Sequence, residues 1–271
     1  MKPIIKWPGG KTQMLDIIKE MLPEKFNTYY EPFFGGGAVL LSLIDGPATV
    51  SDINPELINL YEQVKTNPTG VLRALEAMDY NHNNSNEPKE YYYTIRDLFN
   101  IHLGSNTYKQ AARFIYLNKH CFNGLYRVNK KGEFNVPFNG KVSGSSIDNY
   151  NFWDVSERLQ TVDFKCCDFE DTVKNAAAGD LVFFDSPYAP LTPTSFTDYT
   201  KEGFSYEDHV RLAKLYKDLT DRGVYCMLTN HDTELIRELY KDYNITVVDV
   251  RRSINRKGDN RKGKEIIITN Y

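Results

Sequence analysis

One run of apolar residues constrains the fold of this chain more than any other feature. Residues 181–184, LVFF, are apolar at every position and are followed at once by Asp185. Continuous runs of this length are typical of strands that are buried on both faces of a parallel sheet. In such α/β sheets, ligands bind at the carboxyl ends of the strands. The run therefore predicts an α/β protein whose functional site includes the residues that follow Phe184.

The rest of the chain alternates strand and helix patterns, with one interruption. Further strands are predicted at residues 29–33, 48–52, 162–168, 224–229, 245–250 and 266–270, and helices at residues 11–22, 38–43 and 107–121. Between residues 67 and 155 the alternation is lost, and helical pieces adjoin a polar stretch rich in Asn, Gly and Lys. We therefore expect one α/β domain, formed by residues 1–60 and 156–271, with a mostly helical insert at residues 61–155.

Capping residues predict where three of the helices begin. Asn54 precedes Pro55, which suits the first position of a helix because its missing N–H costs nothing there. Ser205, with Asp208 three residues later, predicts a helix that Gly223 ends. Asp232 is predicted to cap the helix that follows it.

Composition excludes several classes of protein. The chain has 271 residues and a formal charge of -3, so nucleic-acid binding would need a local basic surface. No apolar run approaches about 18 residues, and we expect no contact with a membrane. The four cysteines lack C-x-x-C spacing, so neither a metal site nor a disulfide framework is expected. Reduced thiols fit a cytoplasmic protein.

Two glycine-containing turns near the amino terminus are candidate ligand sites. Residues 6–11, KWPGGK, allow a ligand to approach the backbone closely, although they also suit an ordinary turn before a helix. Residues 31–37, EPFFGGG, join a strand to a helix, where α/β sheets admit nucleotide-like ligands. They lack G-x-G-x-x-G and a phosphate-loop lysine, which disfavours a dinucleotide or ATP. Asp52 ends the next strand and suits the ribose hydroxyls of an adenosine ligand, or simply the start of the next helix.

Three further segments have side chains that suit chemistry on nucleic acid. Residues 185–188, DSPY, place an acid at a strand end, a stiffening proline and an aromatic ring on which a base can stack. Residues 122–129, FNGLYRVN, and 134–138, FNVPF, predict a hairpin whose side chains suit base edges, or a plain polar β-hairpin. Residues 251–264 hold seven Lys or Arg and one acid, so they form a solvated loop or bind phosphates.

Together, and in this order, the motifs resemble those of the Dam-type DNA adenine methyltransferases, which include phage and restriction-system enzymes. The similarity extends to the closing EIIITNY at residues 265–271 and so covers nearly the whole chain. It implies a seven-stranded, Rossmann-like sheet that binds S-adenosylmethionine at its carboxyl ends, with a target-recognition insert that binds double-stranded DNA. It also implies a monomer or weak dimer without metal, acting in the cytoplasm of a bacterial or phage-infected cell.

The resemblance assigns roles to individual residues. Asp185, Pro187 and Tyr188 are implied to form the catalytic pocket. There, the Asp185 carboxylate and the carbonyl of residue 186 would hold the N6 amine of a flipped-out adenine for direct in-line methyl transfer. The implied cofactor-binding residues are Trp7, Lys11, Phe33, Gly35, Gly37, Asp52, Asp168, Phe169 and Asp185.

The hairpin is implied to recognise GATC. Arg127 resembles an arginine that binds a guanine edge, and Lys6 resembles a contact to the outer guanine. Phe122 and Asn123 match residues that wedge into the base stack. The implied DNA-recognition residues are Lys6, Phe122, Asn123, Leu125, Arg127 and Pro137.

One departure from the family pattern leaves other functions open. Ser186 stands where the family usually has proline, and it lacks the fixed φ of that residue. It invites the hypothesis of a catalytically weak or silent DNA-binding regulator. Methylation of cytosine N4, RNA adenine or a protein glutamine is the other alternative. Asp185 argues against cytosine N4, where serine is more common at the first motif position, and the hairpin argues against RNA and protein.

Overall fold

The computed structural model describes residues 1–190, 204–251 and 262–271. Within these ranges, seven strands form one sheet in the order β3-β2-β1-β4-β5-β7-β6, which confirms the predicted seven-stranded α/β fold. The strands are β1 Tyr29–Glu31, β2 Ala48–Ser51, β3 Val162–Lys165, β4 Leu181–Phe184, β5 Tyr225–His231, β6 Asn244–Arg251 and β7 Lys262–Thr269.

The central strands of this sheet are parallel and deeply buried. Strand β4 lies between β1 and β5 and runs parallel to both. All four of its residues are buried, as the apolar run LVFF predicts. Strand β7 is antiparallel to both β5 and β6. The sheet therefore carries an antiparallel hairpin beyond its parallel centre.

Helices lie close to the positions predicted at residues 11–22, 38–43 and 107–121, and further helices lie between and after them. They are α1 Leu15–Met21, α2 Ala38–Leu43, α3 Pro55–Thr66, α4 Pro68–Asn83, α5 Pro88–Ile101, α6 Tyr108–His120, α7 Asn149–Arg158, α8 Phe169–Val173, α9 Tyr206–Asp221 and α10 Glu234–Leu239. Asn54 caps α3, and Ser205 and Asp208 form the predicted capping box of α9.

One predicted cap is wrong. Thr233, rather than Asp232, caps α10, since its hydroxyl accepts a hydrogen bond from the Ile236 N–H. Asp232 instead accepts two hydrogen bonds from the Arg237 guanidinium. Both residue types suit an N-cap, and the ion pair available to Asp232 decides between them.

The chain divides into two compact units. The first unit comprises Met1–Thr12, Gly35–Asp45 and Asp52–Cys166, and the second comprises Gln13–Phe34, Gly46–Ser51 and Cys167–Tyr271. In the first unit, α6 packs against α3, α4 and α5, and Ala111, Ile115 and Leu117 of α6 are buried. In the second unit, the core lies among β4, β5, β7, α9 and α10.

Residues 1–190, 204–251 and 262–271 contain neither a helix suited to span a membrane nor a cluster suited to bind a metal ion. None of the helices there is long and apolar enough to span a membrane. No group of three or more His, Cys, Asp or Glu side chains in those ranges is arranged to hold a metal ion. The four cysteines are free thiols.

Candidate active site and DNA-recognition surface

The carboxyl edge of the parallel strands brings several motif residues of the second unit together. Tyr30 pairs with Val182 in parallel register, and Phe184 pairs with Leu228. Because the central strands are parallel, Phe33 and Asp185 follow β1 and β4 at the same edge of the sheet. Thr229 lies at that edge within β5, next to Leu228. We call residues 185–188, which follow β4 and are expected to form the catalytic pocket, the catalytic corner.

The carboxylate of Asp185 is held by the neighbouring strand. Its Oδ1 accepts a hydrogen bond of 2.9 Å from the hydroxyl of Thr229, which is fully buried in β5. A charged acceptor with a fixed donor keeps its orientation without cost at the moment of reaction. The structure therefore fixes the acid of the corner from outside its own motif.

Ser186 and Ala189 are fixed by the next residue of β5. Asn230 is buried, and its side-chain carbonyl accepts a hydrogen bond of 2.9 Å from the Ala189 N–H. Its amide group donates to the hydroxyl of Ser186 over 3.3 Å. Ser186 is only 1% exposed. The serine that departs from the family pattern is therefore tied to the sheet by its hydroxyl.

The phenol of Tyr188 is held at its hydroxyl and at its ring. The hydroxyl donates to Oε2 of Glu265 on β7 over 2.8 Å, and the ring packs edge-on against His231, with centroids 4.7 Å apart. Burial, followed by the negative charges of Asp185 and Glu265, raises the pKa of Tyr188 above its ordinary value. The phenol therefore stays neutral and remains a hydrogen-bond donor.

Asp168 and Phe169 form a second cluster in the same unit. Asp168 caps α8 through the Glu170 N–H, and it also accepts a hydrogen bond of 2.9 Å from Arg211. The guanidinium of Arg211 lies 4.8 Å from the centroid of the Phe169 ring. Phe33 stacks on Phe169, with centroids 5.4 Å apart. The carboxylate of Asp168 and the rings of Phe33 and Phe169 therefore lie in one cluster.

The glycine turn and Asp52 meet in the first unit. Gly35 and Gly37 have φ values of 50° and 67°, which side chains other than glycine adopt at a cost. A Cβ on Gly35 would lie 2.7 Å from the Trp7 ring, so the turn also needs glycine for space. Asp52 accepts hydrogen bonds from the Gly35 N–H over 3.1 Å and from the Asn54 N–H over 2.9 Å. The structure thereby brings Trp7, the glycine turn and Asp52 together.

Asp52 in this region has a perturbed pKa. Burial raises the pKa of Asp52, while the N–H donors of Asn54, Gly35 and Ile53 act in the opposite direction. Lys11 is buried, and its ammonium group donates to the Gly9 carbonyl over 2.6 Å. Trp7 packs against Tyr126 of the hairpin, with centroids 5.3 Å apart.

The predicted hairpin is present and carries its candidate side chains outward. Bridges between Cys121 and Phe138 and between Val128 and Phe134 define residues 121–138, which we call the recognition hairpin. Phe122 is 51% exposed, and Asn123 has a φ of 57°, the one positive value among the described residues other than glycine. Phe122 and Asn123 adjoin the bridge at the base of the hairpin, and a strained, exposed segment of this kind suits contact with a ligand.

Arg127 and Lys6 are positioned by neighbours of the hairpin. The Arg127 Nε donates to Oδ1 of Asn135 over 2.8 Å, which orients its planar guanidinium. The Lys6 backbone exchanges two hydrogen bonds of 2.8 Å with the Asn118 side chain. A Cβ on Gly124 would lie 2.7 Å from the Lys6 side chain. Leu125 is partly buried and Pro137 is exposed.

A basic groove adjoins the base of this hairpin. It has a volume of about 490 Å³ and is lined by residues of the amino terminus, of α6 and of the hairpin. Its lining includes one acid, Asp148, which caps α7. The exposed cations along it are Lys2, Lys6, Lys119 and Lys141.

Sequence reasoning missed four residues of these clusters. Thr229 and Asn230 end a predicted strand, so the strand-end rule that singled out Asp185 also applied to them. Glu265 and Arg211 gave no such signal, because their contacts join elements that are distant in sequence. The basic run at residues 251–264 lies largely outside the described residues.

The seven-stranded sheet, with β7 antiparallel between β5 and β6, is consistent with the fold of S-adenosylmethionine-dependent methyltransferases. A family model described as D12 class N6 adenine-specific DNA methyltransferase matches residues 7–254. The chain belongs to this family, so it is an enzyme that methylates N6 of adenine in DNA.

Individual relatives agree with the family. The chain is 44% identical over 277 residues to Type II methyltransferase M1.LlaDCHI of Lactococcus lactis subsp. cremoris, covering 100% of this chain and 96% of the relative. It is 42% identical to Type II methyltransferase M.MjaIII of Methanocaldococcus jannaschii, with 100% and 99% covered. It is 35% identical to the DNA adenine methylase of Escherichia coli K12, with 100% and 95% covered.

Proposed function

We propose that this enzyme methylates the adenine of GATC in duplex DNA after flipping that base out of the helix. The observation that carries the proposal is that one chain has both a buried corner with a fixed acid and an exposed hairpin with an oriented arginine. Its relatives include both type II methyltransferases and DNA adenine methylases. The biological setting is therefore either restriction-modification or the marking of DNA by a Dam-like enzyme.

The chemistry of the candidate cofactor residues fits S-adenosylmethionine. Asp52 is fixed by two backbone N–H groups and presents a carboxylate for the ribose hydroxyls. Asp168 and the ring of Phe169 suit the amino group and the flat face of an adenine. We expect Trp7, Lys11, Phe33, Gly35, Gly37, Asp52, Asp168, Phe169 and Asp185 to bind the cofactor.

The residues of the catalytic corner are expected to orient the N6 amine of the target adenine. The N6 lone pair of adenine is delocalised into the ring, so the amine is a poor nucleophile. A hydrogen bond from N6–H to the Asp185 carboxylate, and a second to the carbonyl of Ser186, would turn that lone pair away from the ring. Tyr188 offers its ring for stacking of the base, and Pro187 stiffens the turn that carries it.

When bound, S-adenosylmethionine would supply an electrophilic sulfonium methyl group, with S-adenosylhomocysteine as the leaving group. Because N6 would attack that methyl group directly and then lose one proton to water, no covalent enzyme intermediate is needed. Asp185 acts as an orienting acceptor rather than as a strong base.

Recognition of the DNA sequence is assigned to the insert at residues 61–155 together with Lys6. We expect Arg127 to bind a guanine edge in the major groove, where a guanidinium forms two hydrogen bonds to O6 and N7. Lys6 is expected at the outer guanine, and Leu125 and Pro137 at apolar base edges. Phe122 and Asn123, which are exposed at the base of the hairpin, are expected to fill the space that the flipped adenine leaves.

A plasmid digest tests the sequence that is methylated. Plasmid lacking adenine methylation is incubated with the enzyme and S-adenosylmethionine, then cut with one nuclease that requires unmethylated GATC and one that requires methylated GATC. We expect protection from the first and cleavage by the second. Methyl incorporation without either change would show that another site is the target.

A fluorescent base tests extrusion. 2-Aminopurine replaces the target adenine in a GATC duplex, and its emission rises when the base leaves the stack. Because stacking on Tyr188 would quench part of that rise, the Tyr188→Ala variant is measured beside the wild type. Unchanged emission in both proteins at saturating protein would contradict base flipping.

A further inference from the structure

A hydrogen-bonded network outside the DSPY motif links both of its chemically active side chains. The Thr229 hydroxyl lies 2.9 Å from Asp185 Oδ1, and the Tyr188 hydroxyl lies 2.8 Å from Glu265 Oε2. The Thr229 hydroxyl also acts on the Tyr188 phenol, because it partly offsets the rise in the pKa of that phenol. The four side chains come from the carboxyl end of β4, from β5 and from β7.

The network has a defined direction of donation. Tyr188 donates its proton to Glu265, which accepts because a carboxylate has no proton to give. Thr229 donates its proton to the carboxylate of Asp185. Thr229 therefore holds Asp185 directly, while Glu265 holds the phenol of Tyr188.

The surroundings of Thr229 make this contact difficult to replace. Thr229 is 0% exposed, so no water substitutes for its hydroxyl without rearrangement. Its neighbour Asn230 is also 0% exposed and holds Ser186 and Ala189, so the end of β5 fixes the whole corner. A branched side chain in a strand has few rotamers, which limits where the hydroxyl can point.

We propose that Thr229, supported by Glu265, is a positioning residue that sets the Asp185 carboxylate and the Tyr188 ring in the geometry needed for methyl transfer. The proposal rests on the proposed function, since Asp185 and Tyr188 are taken there as the groups that hold the adenine. Thr229 itself does not contact the substrate. Its loss should slow the chemical step while leaving cofactor and DNA affinity in place.

The decisive variant is Thr229→Val, which keeps the shape of the side chain and removes the hydroxyl. The readout is the single-turnover rate of N6-methyladenine formation with enzyme in excess over a GATC duplex, because product release often limits steady-state turnover. We expect this rate to fall about 10- to 100-fold, as for a lost hydrogen bond to a charged group. The dissociation constants for S-adenosylmethionine and DNA should change by less than about twofold.

Two controls separate positioning from stability. Thr229→Ser restores the hydroxyl and should recover the rate to within about threefold of wild type. Thr269→Val removes a buried hydroxyl from β7 that bonds only near the carboxyl terminus, to the Tyr271 carbonyl, and should leave the rate unchanged. If Thr229→Val does not fold, Thr229→Ala and Thr229→Ser repeat the comparison, since both lack the methyl group and differ in the hydroxyl.

Glu265 gives a second test of the network. Glu265→Gln keeps an acceptor for the Tyr188 proton and should retain most of the single-turnover rate, whereas Glu265→Leu should lower it about tenfold. Equal rates for wild type and Thr229→Val, with an active wild type, would overturn the role of Thr229 and leave the proposed function intact. A wild type that makes no N6-methyladenine in GATC would overturn the proposed function and this inference with it.

Discussion

The catalytic corner and the recognition hairpin hold their functional side chains in opposite ways. In the corner, Asp185 and Ser186 are bonded to side chains of β5 that are fully buried. In the hairpin, Phe122 is half exposed and Arg127 is exposed, with one amide neighbour to orient it. The corner is built from tertiary contacts, and the hairpin is built from local ones.

The difference follows from what each region must do. A group that stabilises developing charge is most effective when it is fixed and shielded from water. A group that recognises DNA must instead remain accessible until the duplex arrives, and its orientation comes from a few neighbouring side chains. Substitutions in the corner should therefore change the rate of methyl transfer, whereas substitutions in the hairpin should change which DNA is methylated.

The largest effect is expected from Asp185→Ala. Removal of the carboxylate takes away the acceptor that orients N6, and losses of about 10²- to 10³-fold are usual for such groups. The single-turnover rate on a GATC duplex measures it, with binding of DNA followed separately by anisotropy. A near-normal rate in Asp185→Ala would contradict the claim that the catalytic corner, rather than the hairpin, sets the rate of methyl transfer.

Arg127→Ala should have the next largest effect, which we expect on the selectivity between DNA sequences. Loss of two hydrogen bonds to a guanine costs about 1–3 kcal/mol of discrimination. At limiting DNA, the variant should methylate GATC more slowly than wild type by the corresponding factor. On a duplex altered at the recognised guanine, the variant and the wild type should have similar rates. Lys131→Ala, at an exposed position of the same hairpin, is the matched control. A uniform loss on both duplexes would indicate a phosphate contact instead.

Asn135→Ala should reproduce part of that loss. Asn135 accepts the Arg127 Nε–H and so orients the guanidinium without being assigned a base itself. A single neutral acceptor is worth about 0.5–1.5 kcal/mol. The same competition between duplexes measures it, and the double variant with Arg127→Ala should show no further loss. Additive losses would mean that Asn135 contacts DNA independently.

Ser186→Pro should leave the rate within about threefold of wild type. The variant loses the hydrogen bond from Asn230, worth about 1 kcal/mol, and gains about 0.4–1 kcal/mol from the stiffer backbone of proline. The carbonyl assigned to N6 is present in both. Single-turnover rates and thermal melting test this expectation. Complete loss of methyl transfer in a folded variant would contradict the role of that carbonyl.

The smallest effect concerns pH. Burial and the charges of Asp185 and Glu265 raise the pKa of Tyr188, so its phenol keeps its proton to higher pH than an ordinary tyrosine does. The single-turnover rate should therefore show no titration near pH 10, the ordinary tyrosine pKa. A step at that pH that disappears in Tyr188→Phe would show that the corner is more exposed than its contacts indicate.

Much of this architecture could be predicted from the sequence because its signals are local. The run LVFF predicted β4 with its bounds, and the capping patterns of Asn54 and Ser205 predicted the starts of α3 and α9. The hairpin at residues 121–138 was predicted from its turn-rich, polar composition. Periodicity and capping depend on neighbours in the chain, so one sequence suffices for them.

The partners of the candidate site could not be predicted in the same way. Glu265 bonds Tyr188 from 77 residues away, and Arg211 bonds Asp168 from 43 residues away. Neither residue has a distinctive local pattern, since surface helices and strands commonly carry such charges. The choice of Thr233 over Asp232 as a cap likewise depended on an ion pair. Tertiary contacts decided each of these cases.

The most direct test of the account is the identity of the methylated nucleoside. A GATC duplex is incubated with wild-type enzyme and isotopically labelled S-adenosylmethionine, hydrolysed to nucleosides and analysed by mass spectrometry. We predict that the label appears in N6-methyldeoxyadenosine and is absent when the target adenine is replaced. Label in N4-methyldeoxycytidine, or tight binding of cofactor and DNA with no labelled nucleoside, would contradict it.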